Sequence, residues 1–259
     1  MIFNTEYKYE IPKGDLKNPI MMIGWPGIAL VGKIAITTII ESLNAKEYIE
    51  IEYYDFPPKS IIEKGTMNLP TAKIYHKSGE EYDFFLLTAD FQPQTSEGIY
   101  DFSKNICELM KDITNNNMQM YISTGALVPE ALPETVKVHV SGTNPNIVEK
   151  FLKLENTKLM EGGFIAGANG ILPTYAGNKG YAPGVCLLAE TIPVPMLNAD
   201  PKASKALVKI LKEYFSLSDV TFEELDKQIK DLNKVISSIK SQVVKGFRKE
   251  KPIDESYFR

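Results

Sequence analysis

Gly27-Ile28-Ala29-Leu30-Val31-Gly32-Lys33 fills the glycine and lysine positions of a phosphate-binding loop, and it stands between an apolar run and a stretch of helical spacing. In such a loop, backbone N–H groups wrap the phosphates, and a Ser or Thr after the lysine ligates magnesium. Here that position is Ile34, and the residues between the two glycines are all apolar. The segment therefore reads as a helix turn packed closely on a strand, where glycine lets two backbones approach.

The other reactive residue types are few and scattered. His139 lies in Val136-Lys137-Val138-His139-Val140, where alternation puts Lys137 and His139 on the half-exposed face of a strand. His76 stands beside the turn Ser78-Gly79 and is expected to be solvated. Neither accompanies a nucleophile signature, and no Gly-x-Ser-x-Gly elbow occurs. Asp90, in Thr88-Ala89-Asp90-Phe91-Gln92-Pro93, and Ser123-Thr124-Gly125 each end a strand-like run. Ligands of open α/β sheets bind at such carboxyl ends. A small-molecule enzyme would use these loops together with the one around Gly170; the alternative is that Asp90 bonds local backbone N–H groups. Cys107, Cys186, His76 and His139 occur singly, which excludes a four-ligand zinc finger. No metal and no cofactor is expected.

Those residues sit in a chain of 259 amino acids with formal net charge −4, 44% hydrophobic and 24% charged residues. At this size roughly three quarters of the unfolded surface can be buried, so a real core is expected. Only two residues are arginine, Arg248 and Arg259, so the main body lacks the guanidinium fork that reads bases and phosphates. With a sequence pI of about 5.4, nucleic acid is an unsuitable partner. The apolar runs are too short to span a bilayer, and the start Met1-Ile2-Phe3-Asn4-Thr5-Glu6 has no signal-peptide pattern. Two distant cysteines point to a reducing compartment. A cytoplasmic protein without membrane contact is expected.

The elements that must position these residues alternate in type. Ile20 to Ile23 is an apolar run ending at Gly24, Ile28 to Leu43 has helical spacing, and Tyr48 to Phe56 alternates, which together open a βαβ unit. Ala72 to Tyr75 and Tyr82 to Leu87 flank Ser78-Gly79 as a hairpin. Ile99, Phe102, Ile106, Leu109 and Ile113 make one helix face before Asn115-Asn116-Asn117. Strands follow at Met118 to Ser123 and Val136 to Val140, then a helix from Asn146 to Leu154. A glycine-rich stretch from Gly162 to Gly184 precedes the buried strand Val185 to Ala189, and Asp200-Pro201 caps a further helix. The pattern predicts an α/β fold, a three-layer α/β/α sandwich around a largely parallel sheet.

Beyond Phe215 the pattern changes. Phe222, Leu225, Ile229, Leu232, Ile236, Ile239 and Val243 recur at alternating steps of three and four, the coiled-coil period, until Gly246 ends the seam. Thr221-Phe222-Glu223-Glu224 reads as a capping box at its start. The flanking positions carry few ion-pairing charges, so packing on the chain's own body, a broad oligomer seam and a free two-stranded zipper are all open. Three regions are expected: a core over 1–215, a helical extension over 216–247 and a tail over 248–259.

Gly24-Trp25-Pro26-Gly27 with Val31-Gly32, the Ser123-Thr124-Gly125 strand end, Gly170-Ile171-Leu172-Pro173 through Gly184, and Glu190-Thr191 with Asp200-Pro201 together resemble the proteasome assembly chaperone family in its archaeal homomeric branch. The order of these motifs, across about residues 15 to 215, carries the likeness. It implies a fold similar to nucleoside phosphorylases without their catalytic equipment. It also implies an ATP-independent homo-oligomer, tetramer or pentamer, that binds the proteasome core particle as an assembly chaperone or activator.

Proteasome activators of this kind dock by a terminal hydrophobic-Tyr-any tripeptide. Its ring enters a pocket between α-subunits, and its carboxylate meets a lysine. By that resemblance Tyr257 is the hydrophobic residue, Phe258 stands where Tyr is usual, and Arg259 supplies the carboxylate. The phenyl ring keeps most of the apolar area and loses the hydroxyl's hydrogen bonds, a cost of about 1 kcal/mol per tail. The rival expectation is a nucleoside phosphorylase or hydrolase-like enzyme working around Asp90, Ser123 and Gly170.

Overall fold

Ile20–Gly24 has no exposed residue on either side, the mark of a strand at the centre of a sheet that is covered on both faces. The computed structural model in which it lies describes residues 2–11, 16–130, 135–191 and 198–234. The strands are β1 (Phe3–Tyr7), β2 (Ile20–Gly24), β3 (Lys46–Tyr53), β4 (Ile61–Glu63), β5 (Thr66–Asn68), β6 (Thr71–Ser78), β7 (Asp83–Ala89), β8 (Met120–Leu127), β9 (Val138–Gly142), β10 (Thr157–Leu159) and β11 (Gly184–Glu190). The helices are α1 (Val31–Ser42), α2 (Ser96–Ile113), α3 (Pro145–Leu152), α4 (Ala168–Asn178) and α5 (Pro201–Tyr214). None of the helices among the described residues is long and apolar enough to cross a membrane.

Among the described residues nine strands form one sheet in the order β1-β3-β6-β7-β2-β8-β11-β9-β10, and β4-β5 stands apart as a two-stranded ribbon. The centre, β7-β2-β8-β11, is parallel, as the βαβ pattern predicts. The flanks are not: β1–β3, β3–β6, β6–β7 and β9–β11 pair antiparallel. The sheet is therefore mixed rather than largely parallel. One cause was visible in the sequence, because the tight turn after Ser78 returns β7 beside β6 and a hairpin can only be antiparallel.

Side-chain alternation assigns the two faces. Met21 and Ile23 share a buried cluster with Phe102 and Ile106 of α2 and Leu172 and Ala176 of α4. Gly24 points the other way: a Cβ there would lie 2.6 Å from the Ile36 side chain of α1. Helix α1 in turn packs on α5. Helices thus cover both faces of a mixed α/β fold.

The predicted start of α5 holds. Asp200 accepts from the N–H groups of Lys202 and Ala203 at 3.0 Å, with Pro201 at the first helical position. Asn144 likewise accepts from Asn146 and Ile147. Helix α4 lies inside the glycine-rich stretch, where the sequence signals no helix. Pro173 interrupts its interior, and its small residues let it sit directly on the sheet: a Cβ on Gly184 would fall 1.9 Å from the Pro173 carbonyl.

By internal contacts the chain divides into two units, Met1–Thr221 and Phe222–Arg259. In the second, residues 223–234 are helical. Leu225 is buried there, and Phe222, Ile229 and Leu232 are half-buried along one face whose neighbours are mostly exposed. Glu224 does not close the expected capping box. Its carboxylate accepts from Gln228 Nε2 at 3.3 Å and lies 3.8 Å from Lys227 Nζ, further along the helix.

Candidate functional site

The carboxyl ends of β2, β7 and β8 bring together the residues on which the sequence could have built catalysis. Gly27 leads into a short 3-10 turn, Ile28–Leu30, in which Ala29 and Leu30 both take left-handed backbone angles, φ 47° and 52°. Gly32 then meets β8 so closely that a Cβ would stand 2.1 Å from the Thr124 carbonyl oxygen. Gly32 thus serves strand–helix contact as expected, whereas a Cβ on Gly27 would meet only Gln92 Nε2, at 3.8 Å. Lys33 Nζ donates to the Ala89 carbonyl at 2.8 Å and stands 4.0 Å from Asp90 Oδ1.

The remaining polar groups at these strand ends are bound to backbone. Asp90 Oδ2 accepts from the Thr71 N–H at 3.0 Å, the loop-structuring role expected for it. Thr124 Oγ1 donates to the Ile23 carbonyl at 2.9 Å, and Ser123 Oγ to the Asn169 carbonyl at 2.5 Å. Gln92 spans two segments, donating to the Pro26 carbonyl and accepting from the Ala168 N–H at the start of α4. Gly170 is buried against the Ile165 carbonyl, within 2.1 Å of where a Cβ would be. These contacts fasten loops together; Ser123 donates to a carbonyl, not to a base.

The histidines stand elsewhere. Alternation of β6 carries Ala72, Ile74 and His76 to the inner face, so His76 is 8% exposed instead of solvated. Its ring lies 4.9 Å from that of Phe85, Nε2 bonds Asp83 Oδ1 at 3.1 Å, and the Tyr9 hydroxyl meets Nδ1 at 3.3 Å. Burial drives its pKa below the usual value, against the pull of Asp83. His139 is half-buried on its strand face as predicted, and its Nε2 pairs with Glu190 Oε1 at 2.9 Å. Burial pushes both thiols, Cys107 and Cys186, up to about 12, so neither is a nucleophilic thiolate at neutral pH. Among the described residues no group of three His, Cys, Asp or Glu is arranged to hold a metal ion.

Of the docking and seam residues singled out in the sequence, Leu225 is buried and Phe222, Ile229 and Leu232 are half-buried. Ile236, Ile239, Val243, Tyr257, Phe258 and Arg259 lie outside the described residues. Sequence reasoning missed the β4–β5 ribbon. Its turn, Lys64-Gly65, takes φ 49° and 84°, and the flanking Pro57-Pro58 and Pro70 were the available signal. It leaves Ile62, Met67 and Leu69 exposed at 61%, 70% and 67%.

A family model described as the PAC2 family matches residues 21–240. An uncharacterized protein of Methanocaldococcus jannaschii, MJ1210, is 27% identical over 246 residues, covering 93% of this chain and 91% of that protein. A second from the same organism, MJ0106, is 27% identical over 250 residues, covering 94% and 96%. Among solved structures, Pyrococcus furiosus PbaB, described as an archaeal proteasome activator, superposes with a TM-score of 0.81 at 24% identity, over 92% of this chain and 98% of that one. Pyrococcus furiosus PbaA, described as an archaeal homolog of proteasome-assembly chaperone, gives 0.73 at 22% identity over 95% of each. At those identities the structural likeness establishes the shared mixed α/β fold.

Proposed function

The chain belongs to the PAC2 family, and from that premise we propose that it is an ATP-independent, non-enzymatic factor that binds the proteasome core particle, as assembly chaperone, gate-opening activator or both. Family membership across residues 21–240 carries this reading. The fold shared with PbaB and PbaA supports it, since those proteins are described as an activator and a chaperone homolog. The strand-end loops support it too, because Asp90, Ser123 and Thr124 are engaged with backbone and a phosphorylase or hydrolase would need such groups facing a substrate.

In this proposal the docking elements are the terminal residues Tyr257, Phe258 and Arg259, with Arg259 contributing its main-chain carboxylate. The helical seam from Phe222 through Val243 is a coiled-coil stalk or an oligomer seam, rising 1.5 Å per residue. The basic run Lys245, Arg248, Lys249 and Lys251 steers the tail toward an acidic ring of α-subunits. One tripeptide binds weakly. Several on one homo-oligomer, a tetramer or pentamer in the cytoplasm, engage a ring of pockets at high effective concentration.

Purified core particles mixed with the full-length protein test the reading on a native gel. A slower-migrating complex formed without ATP is expected, and faster hydrolysis of a small fluorogenic peptide by that complex identifies an activator. Free migration of both components at micromolar concentration, with or without ATP, contradicts it.

A further inference from the structure

The main sheet ends on β1, and among the described residues nothing pairs with its outer side. The Lys8 N–H donates to the Tyr48 carbonyl at 2.8 Å and the Tyr54 N–H to the Ile2 carbonyl at 3.2 Å. With the register running from Phe3 opposite Tyr53 to Tyr7 opposite Ile49, those two bonds fix the parity of the ladder. Asn4 and Glu6 turn their backbone groups toward β3, and Phe3, Thr5 and Tyr7 turn theirs outward. No hydrogen bond from a described residue reaches those outward groups. The strand is exposed beyond Phe3, and it has neither a proline nor a bulge in its pairing with β3 to blunt the edge.

Thr5 also lines a groove of about 460 Å³ between β1, β3 and the β4–β5 ribbon. Ile49 and Ile51 sit in the cluster under α2, so Glu50 and Glu52, which alternate with them, put the groove on the other face of the sheet. Asn4 stands opposite Glu52 there, and Glu6 opposite Glu50. Like charges directly across a ladder repel. Lys8 relieves that pair, 3.0 Å from Glu6 and 2.9 Å from Glu50, while Lys73 is shared between Glu50 at 3.6 Å and Glu47 at 2.9 Å. The Glu52 carboxylate has no ion pair among the described residues. Glu6, Glu50 and Glu52 are the charged residues of the groove lining, and the exposed Met67 and Leu69 form its apolar lip.

We propose that the β1 edge is a strand-addition site for an extended segment of another protein in which basic residues alternate with apolar ones. The segment's backbone continues the ladder on the outward groups of Phe3, Thr5 and Tyr7. Its basic side chains fall on the face of Asn4 and Glu6, where one reaches Glu6 and the next extends over the short Asn4 toward Glu52. Met67 and Leu69 cover the methylene stems of those side chains. Its apolar residues fall on the opposite face, beside Phe3, whose ring packs edge-on against Tyr53 and Phe102, and beside Tyr7, which packs against Tyr48. Nothing in this recognition involves Tyr257, Phe258 or Arg259, so it stands or falls apart from core-particle docking.

Fluorescence anisotropy with the full-length protein and a labelled, end-capped heptapeptide alternating valine and lysine tests it. Saturable binding is expected, and none by the peptide alternating valine and glutamate. Glu6→Gln with Glu52→Gln should weaken binding about fivefold, as the loss of two exposed ion pairs would. Thr5→Pro removes an N–H that points out of the sheet, so circular dichroism should be unchanged while binding is lost. Peptides N-methylated on every valine or on every lysine probe the same ladder on the unaltered protein, and at least one is expected not to bind. No saturable binding of the valine–lysine peptide overturns the proposal. So does parental affinity in either variant, in both methylated peptides, or in the glutamate peptide. A mass by light scattering that falls with Thr5→Pro would show a second copy on this edge, and overturns it too.

Discussion

The Ser123 hydroxyl donates to the Asn169 carbonyl across 2.5 Å, and Asn169 is the residue four positions before Pro173 within α4. A proline has no N–H, so the helix supplies no i→i−4 donor for that carbonyl. The strand end supplies it instead. The Ser-Thr-Gly motif thereby ties β8 to a helix built on a proline, which is a structural use for a serine that could be mistaken for a nucleophile. Ser123→Ala is expected to cost about 1–2 kcal/mol, because it leaves a buried acceptor unpaired. In a Pro173→Ala background, where the N–H returns, the same change should cost clearly less. Urea unfolding of the four chains measures both, and equal costs in the two backgrounds would contradict the pairing.

Gly32 is predicted to be replaceable by no other residue. A Cβ there would lie 2.1 Å from the Thr124 carbonyl oxygen, an approach that backbone must yield to. Gly32→Ala should lose about 3 kcal/mol or fail to fold. The parent protein's melting temperature should not move with millimolar magnesium–nucleoside triphosphate. A rise of several degrees would show that the Gly27 to Lys33 segment binds phosphates after all.

Asp90→Ala should act as a loop change. It removes the acceptor of the Thr71 N–H and the carboxylate nearest Lys33. About 1 kcal/mol of stability is expected to go, with core-particle binding kept. Loss of nucleoside turnover in this variant, shown against turnover by the parent, would favour the enzymatic alternative.

His76 gives the fold a pH dependence with a definite sign. Its pKa is lowered by burial in the folded chain, next to Asp83 and Tyr9, while the unfolded chain titrates near the ordinary value of about 6.5. Below that pH the unfolded state takes up a proton that the folded state resists, so stability present above about 6.5 is lost as the pH falls. Melting temperature should fall between pH 7.5 and 5.5, and the fall should be shallower in His76→Asn. Identical slopes for the two proteins would remove His76 as the cause.

Periodicity made the central strands and the α2 face legible, because each repeats one local rule over several residues, and the Asp200-Pro201 cap was legible from the chemistry of two adjacent residues. Helix α4 was hidden because its residues are small and it contains Pro173, so it has almost no amphipathic signal; sheet contact through Gly184 holds it in place. His76 was misjudged from its closeness to a turn, although the Ala72-Ile74-His76 alternation already placed it inward. The strand-end residues were found, but their partners are 46 positions away for Ser123 and 19 for Asp90, distances that local pattern cannot bridge.

The terminal residues are proposed to dock on the core particle. The most direct measurement is capture of purified core particles by the full chain and by a chain lacking Tyr257, Phe258 and Arg259, with the mass of each protein recorded in parallel. Binding lost on truncation with the oligomer unchanged is the predicted result. Equal capture by both chains would contradict it.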